Sequence, residues 1–152
     1  MSLANLLSVE QIIPEMKATQ RWAAIVELID LLVGLGKIKA EDRDPILGSL
    51  KQREETMSTG IGFGIAIPHC SSDRLEEVVA AFGRSTTGIE FDALDNAPVK
   101  FVVLFIVPKN QFQTHLRTLA SIAKFLNDRS VRENLASAKS AEEILSIFRD
   151  RS

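Results

Sequence analysis

Apolar residues recur at three- and four-residue spacing early in the chain: Trp22, Ile25, Val26, Ile29, Leu32 and Val33. That spacing predicts an amphipathic helix, with Thr19 as its cap and Gly34 and Gly36 at its end. Asp44-Pro45 reads as an N-cap with proline at the first helical position. Ile46, Leu47 and Leu50 give this second helix a short apolar face, and it runs to Thr56. The pattern then changes. Gly60, Gly62 and Gly64 punctuate a loop, and Ile65-Ala66-Ile67 reads as a short strand stopped by Pro68. Val78 to Arg84 reads as a strand, Thr87-Gly88 as a turn, and Ile89-Glu90-Phe91 as a short extended piece.

Val99 to Val107 is rich in β-branched and aromatic residues and apolar on both faces after Lys100. Such a run predicts a central strand covered on both sides and ended by Pro108. Leu116, Leu119, Ile122, Ala123 and Leu126 then lie at helical spacing between Gln113 and Asn127. Ser130 caps a short helix through Leu135. Ser140 with Glu143 fits a capping box, and Ile144, Leu145 and Phe148 supply the last apolar face. Helices at both ends with strands between predict an α/β fold, a mixed sheet flanked by helices on both faces. In such sheets working residues sit on loops at strand ends, and Pro68-His69 falls at such a place.

Composition narrows the function. The 152 residues, 45% hydrophobic and 25% charged, are ordinary globular values and suit one domain over residues 1–152. Eighteen basic against twenty acidic side chains leave a net charge of −2, without the overall basic excess of many nucleic-acid binders. One cysteine excludes an intramolecular disulfide framework and argues against a Cys-rich zinc module. The longest apolar run, Phe101 to Val107, is seven residues, against about 20 for a membrane helix. No membrane insertion is expected. The N-terminus lacks the charge and apolar pattern of a secretory signal. The expectation is a cytoplasmic protein with a reduced Cys70.

The chemistry concentrates in residues 53–69, Arg53-Glu54-Glu55-Thr56-Met57-Ser58-Thr59-Gly60-Ile61-Gly62-Phe63-Gly64-Ile65-Ala66-Ile67-Pro68-His69. Alternating glycines allow an unshielded backbone whose N–H groups can approach an anion. His69 follows a proline, and a neutral imidazole is a competent nucleophile. Arg53 offers a planar fork that matches a phosphoryl group. The glycines precede a strand, so they do not form the dinucleotide fingerprint, and no G-K-[ST] follows to make a Walker loop. A glycine turn and a structural histidine remain the bland readings of the same residues.

The segment resembles the active-site signature of enzyme IIA of the phosphoenolpyruvate:sugar phosphotransferase system, in its fructose/mannitol and nitrogen-regulatory class. An Arg-Glu pair, a Ser/Thr-Gly-rich stretch and Ile-Ala-Ile-Pro-His carry the resemblance, and Gln113 to Phe125 (QTHLRTLASIAKF) extends it. It implies that His69 accepts a phosphoryl group on Nε2 from the carrier HPr or its nitrogen-branch counterpart. It assigns His115 to phosphoryl positioning and Arg53 to phosphoryl stabilisation, with Thr59 and Gly60 as weaker oxygen contacts. It implies no cofactor and no metal. The partners are the carrier, then an enzyme IIB or regulatory target proteins.

Other readings of single residues stand beside this one. Cys70 next to His69 invites a cysteine-nucleophile role or a redox influence. Asp73 with His69 and His115 invites a metal site, although the spacing gives no ligand signature. Phe63 and Phe112 are candidates for an apolar docking rim. The resemblance leaves a nitrogen-regulatory output, a sugar-uptake output, and a non-catalytic interaction module on the same fold, as in the cytoplasmic domain of anion exchangers. The retained histidine argues against the last.

Overall fold

The computed structural model describes residues 3–151. Met1, Ser2 and Ser152, which the expected domain includes, lie outside the described residues. The chain runs β1 (Ile12–Ile13), α1 (Arg21–Gly34), α2 (Arg43–Thr56), β2 (Gly60–Gly62), β3 (Ile65–Ala66), β4 (His69–Ser72), β5 (Val79–Ile89), β6 (Val99–Pro108), α3 (Phe112–Asn127), α4 (Arg129–Ser137) and α5 (Ala141–Arg151). The strands form one mixed sheet in the order β1-β5-β6-β3-β2, and β4 also pairs with β6.

The expected central strand is β6. Antiparallel β5 lies on one side of it, and β3 and β4 run parallel to it on the other. Its residues alternate between two cores. Val102, Leu104 and Ile106 pack with Ile25, Leu28, Ile29 and Leu32 of α1 and Ile46 and Leu50 of α2. Phe101, Val103, Phe105 and Val107 pack with Ile122 and Leu126 of α3, Val131 and Leu135 of α4, and Ile144 and Phe148 of α5. Each fully buried Val, Leu, Ile or Phe contributes about 1.5–3 kcal/mol, so both helical layers are anchored through one strand. The α/β sheet covered on both faces is the architecture the sequence predicts.

Local details differ from the expectations. The N-cap of α1 is Gln20, not Thr19. The helix start is fixed by backbone: Arg21 N–H donates to Glu90 O at 2.9 Å and Glu90 N–H to Thr19 O at 2.8 Å. Helix α1 buries Ala24 and Leu28 with Ile25, Ile29 and Leu32, while Trp22, Val26 and Val33 are only half-buried. Helix α2 begins at Arg43, before Asp44-Pro45. Pro45 still falls in the first turn, where its missing N–H would have found no intrahelical partner.

Strand β5 continues through Thr87-Gly88, where a turn was expected; the register instead shifts between Arg84 and Ile89. Gly60–Gly62 is a short strand rather than loop. Asp128, not Ser130, caps α4, accepting from Ser130 N at 2.8 Å and Val131 N at 3.3 Å. At α5, Ser140 Oγ accepts from Glu143 N as expected, but the Glu143 carboxylate turns to Lys139 N rather than to Ser140 N. No helix among the described residues is long and apolar enough to cross a membrane.

Candidate functional site

Strands β3 and β4 are two pieces of one line broken at Ile67-Pro68. Both pair with β6: Ile65 opposite Phe101, and His69 opposite Phe105. His69 is therefore the first residue of a strand, where a loop position was expected. Ladder pairing continues across the break through Pro68 O, which accepts from Phe105 N at 3.0 Å. Pro68 restricts Ile67 to extended backbone. Ile67 N–H donates to Thr59 O at 3.1 Å, and Ile67 O lies 2.7 Å from Nδ1 of His69. A carbonyl only accepts, so Nδ1 carries the proton in this bond. The lone pair is left on Nε2.

His69 lines a cleft of about 430 Å³ with Ser49, Gln52, Arg53, Thr56, Cys70, Ser71 and Phe112. The α2 residues of this set recur at i, i+3, i+4 and i+7, one face of a helix. That periodicity marks Ser49, Gln52 and Thr56, which the motif does not single out. Ser71 follows from strand alternation with His69. Arg53 occupies the last turn of α2, and its Nη1 donates to Met57 O at 2.8 Å. The same guanidinium caps the helix end and faces the cleft. Phe112 opens α3, whose N-cap Gln111 makes no side-chain cap bond. The first-turn N–H groups of such a helix favour an anion.

Burial is the main influence on His69 and holds its pKa below the usual 6.5. The bond to Ile67 O opposes that shift, nearby Arg53 adds to it, and Glu54 opposes it. The ring is thus neutral, and nucleophilic, near pH 7. Cys70 points the other way, into the core under α2. Burial pushes its thiol up to about 12, which removes the thiolate that a cysteine nucleophile needs.

His115 is not a cleft-lining residue. It is buried on the inner face of α3 with Thr118, and its Nδ1 lies 3.4 Å from Thr118 Oγ1. Its ring stands edge-on to Phe105, the register partner of His69. Phe105 thus links the two histidines, to His69 through strand register and to His115 through its ring. Leu116, expected on the buried face of this helix, is 42% exposed instead.

The structure does not bring Thr59 or Gly60 into the cleft lining. The Thr59 hydroxyl donates to Glu54. Gly60 lies under Ala93: an added Cβ would come within 2.7 Å of the Ala93 Cβ. Phe63 is also apart from the cleft, 66% exposed at a φ of 57°, with the Arg132 guanidinium over its ring. Asp73 is exposed and within 4.0 Å of Arg74. Among the described residues, no three His, Cys, Asp or Glu side chains are grouped to hold a metal ion.

A neutral, oriented histidine shares one cleft with an arginine, an arrangement that suits phosphoryl transfer. Residues 5–151 match the family described as "Phosphoenolpyruvate-dependent sugar phosphotransferase system, EIIA 2", and the chain belongs to that family. It is 35% identical over 146 residues to a "PTS system fructose-specific EIIA component" of Haloferax volcanii, covering 96% of this chain and 94% of that protein. It is 30% identical over 148 residues to a "Nitrogen regulatory protein" of Bradyrhizobium diazoefficiens, covering 97% and 95%. Nitrogen regulatory protein IIA-Ntr from Neisseria meningitidis superposes with a TM-score of 0.86 at 30% identity, covering 96% of this chain and 98% of that one. Enzyme IIA mannitol of Escherichia coli, solved in complex with phosphorylated enzyme IIB mannitol, superposes with a TM-score of 0.79 at 26% identity, covering 95% and 98%.

Proposed function

We propose that His69 is the phosphoryl-accepting residue and that Nε2 is the nucleophile. The observation that carries this is the 2.7 Å bond between Nδ1 and Ile67 O, which leaves the lone pair on Nε2. The donor is a phosphohistidine on HPr or its nitrogen-branch counterpart. The donor's N–P bond breaks as the Nε2–P bond forms, and the donor imidazole keeps the electron pair. The proton on Nδ1 stays in place, and the positive charge the ring acquires rests against the Ile67 carbonyl. Transfer between two histidines is near balance, so the protein supplies mainly positioning and charge stabilisation.

Arg53 neutralises the equatorial oxygens of the phosphoryl group from the end of α2. His115 positions the phosphoryl group from the inner face of α3, where its ring stands edge-on to Phe105. If Thr118 donates to its Nδ1, its Nε2 carries a proton and can meet a phosphoryl oxygen. The phosphoryl group then either passes to an enzyme IIB or changes the binding of regulatory targets through its two added negative charges. The nitrogen-regulatory output is favoured by the 0.86 TM-score to IIA-Ntr. The sugar-uptake output is favoured by the 35% identity to a fructose-specific component. Either output would be carried out in the cytoplasm.

The test is phosphorylation from phosphoenolpyruvate with enzyme I and the carrier of each branch, read by intact mass. An acid-labile, alkali-stable phosphate that is absent from His69→Ala is expected, and the faster carrier identifies the branch. Folded protein that takes no label from either carrier overturns the reading.

A further inference from the structure

Glu54 is a carboxylate buried by the fold. It is 2% exposed in the last turn of the helix. Burying a charge is expensive unless bonds and a counter-charge compensate. Here Thr59 N–H reaches both carboxylate oxygens at 3.2 Å, and the Thr59 hydroxyl donates to Oε1. Arg21 Nη1 approaches Oε2 at 3.7 Å from the first turn of α1. All of this fixes one loop residue, Thr59.

What Thr59 does next is informative. Its carbonyl accepts the Ile67 N–H at 3.1 Å. Ile67, already held extended by Pro68, gives its own carbonyl to Nδ1 of His69 at 2.7 Å. An unbroken series of bonds therefore runs from Arg21 through Glu54, Thr59 and Ile67 to the reacting ring. In a free neutral imidazole the proton favours the Nε2 position, which would block the nucleophile. The Ile67 carbonyl reverses that preference only while it is aimed at Nδ1.

We propose that Glu54 is a positioning residue for phosphoryl acceptance: by clamping Thr59 it aims the Ile67 carbonyl and keeps His69 in the Nδ1–H tautomer. This rests on the reading of His69 as the acceptor. Glu54 does not touch the phosphoryl group. It selects which ring nitrogen is free to attack.

The experiment records the imidazole nitrogens of uniformly ¹⁵N-labelled protein by long-range proton–nitrogen correlation at pH 8, where the ring is neutral. Wild type, Glu54→Ala and Glu54→Gln are compared, with folding checked from the amide spectrum and phosphorylation rate measured on the same samples. In wild type, His69 shows a protonated Nδ1 and an unprotonated Nε2. In Glu54→Ala the proton moves toward Nε2 and phosphorylation slows about tenfold, the fold-change of a 1.4 kcal/mol barrier increase. Glu54→Gln keeps one acceptor oxygen for Thr59, retains the fold, and falls between the two in both readouts.

Folded Glu54→Ala or Glu54→Gln with an unmoved His69 tautomer overturns the proposal, even if phosphorylation slows, because the role is then structural only. A wild-type protein that takes no label overturns the acceptor reading instead. A labelled wild type with an unmoved tautomer in the variants overturns the positioning role alone.

Discussion

His115 and Phe105 meet edge to face, with ring centroids 5.9 Å apart and planes at 72°. Phe105 is also the strand residue opposite His69. One phenylalanine is therefore both the ladder neighbour of His69 and the ring on which His115 packs. The expected outcome of His115→Ala is a folded protein whose phosphorylation rate falls by about 10²-fold, the lower end for loss of one preorganised donor. Rapid-quench transfer from the phosphorylated carrier measures it. A rate within threefold of wild type would remove His115 from the reaction.

The buried position of His69 sets a pH dependence. Its folded pKa is held below 6.5, so between that value and 6.5 the unfolded chain binds a proton that the folded chain does not. Stability therefore rises with pH through this window and is lost as pH falls through it. Phosphoryl acceptance follows the neutral ring: flat above pH 6.5, declining only at more acidic values. A ring-proton titration by NMR, with melting temperatures of wild type and His69→Gln from pH 4.5 to 7.5, checks both. A midpoint above 6.5 contradicts the burial effect.

Cys70 contributes to the cleft wall, but it is buried in the core under α2. With its thiol pushed up to about 12, only about one molecule in 10⁴ carries a thiolate at pH 8. Native protein is expected to react with a disulfide reagent orders of magnitude more slowly than protein unfolded in denaturant. Cys70→Ala is expected to accept phosphate at the wild-type rate. Rapid labelling of the native thiol, or a slow variant, would give Cys70 a role the geometry denies it.

Arg84 holds the C-terminal layer to the sheet. It is 7% exposed, and its guanidinium donates to Pro14 O at 2.9 Å, Leu135 O at 2.8 Å and Ala138 O. The last two carbonyls lie at the end of α4 and just beyond it, where a helix carries partial negative charge. Arg84→Met leaves buried acceptors without donors, at about 1–3 kcal/mol each. A loss of at least about 3 kcal/mol in denaturant unfolding is expected, with the phosphorylation rate of the folded fraction unchanged. A loss under 1 kcal/mol would show that water replaces the guanidinium freely.

The elements easiest to read were those with redundant apolar signal. Val99 to Val107 could only be a strand buried on both faces, and β6 is that strand. The helical layers followed from periodicity, and so did most of their buried positions, Ile25, Ile29, Leu32, Ile46, Leu50, Ile122, Leu126, Ile144 and Phe148 among them. On α3 Leu119, Ile122 and Leu126 pack inward as read, but Leu116 is exposed while His115 and Thr118 are buried. Hydrophobicity cannot find polar side chains that a helix buries. Strand β4, His-Cys-Ser-Ser, has almost no strand propensity; it exists because β6 offers it a ladder. The motif singles out His69 and Arg53, which the structure brings to the lining of one cleft. It could not show that Thr59 is committed to Glu54, because that bond depends on where α2 ends relative to the loop.

The break at Pro68 leaves the two-residue alternation of the sheet intact. Ile65 and Ile67 face the α3 side with Phe101, Val103 and Phe105, while Ala66 and Cys70 face the α1–α2 side. His69, opposite Phe105, keeps to the first set. The distance from Ile65 to the histidine is therefore a matter of parity as well as length. Adding or removing a single residue there would exchange the two sides, burying the imidazole beneath α2 and presenting the thiol on the side that His69 now occupies. The spacing Ile-Ala-Ile-Pro-His is thus arithmetic that the pleat enforces.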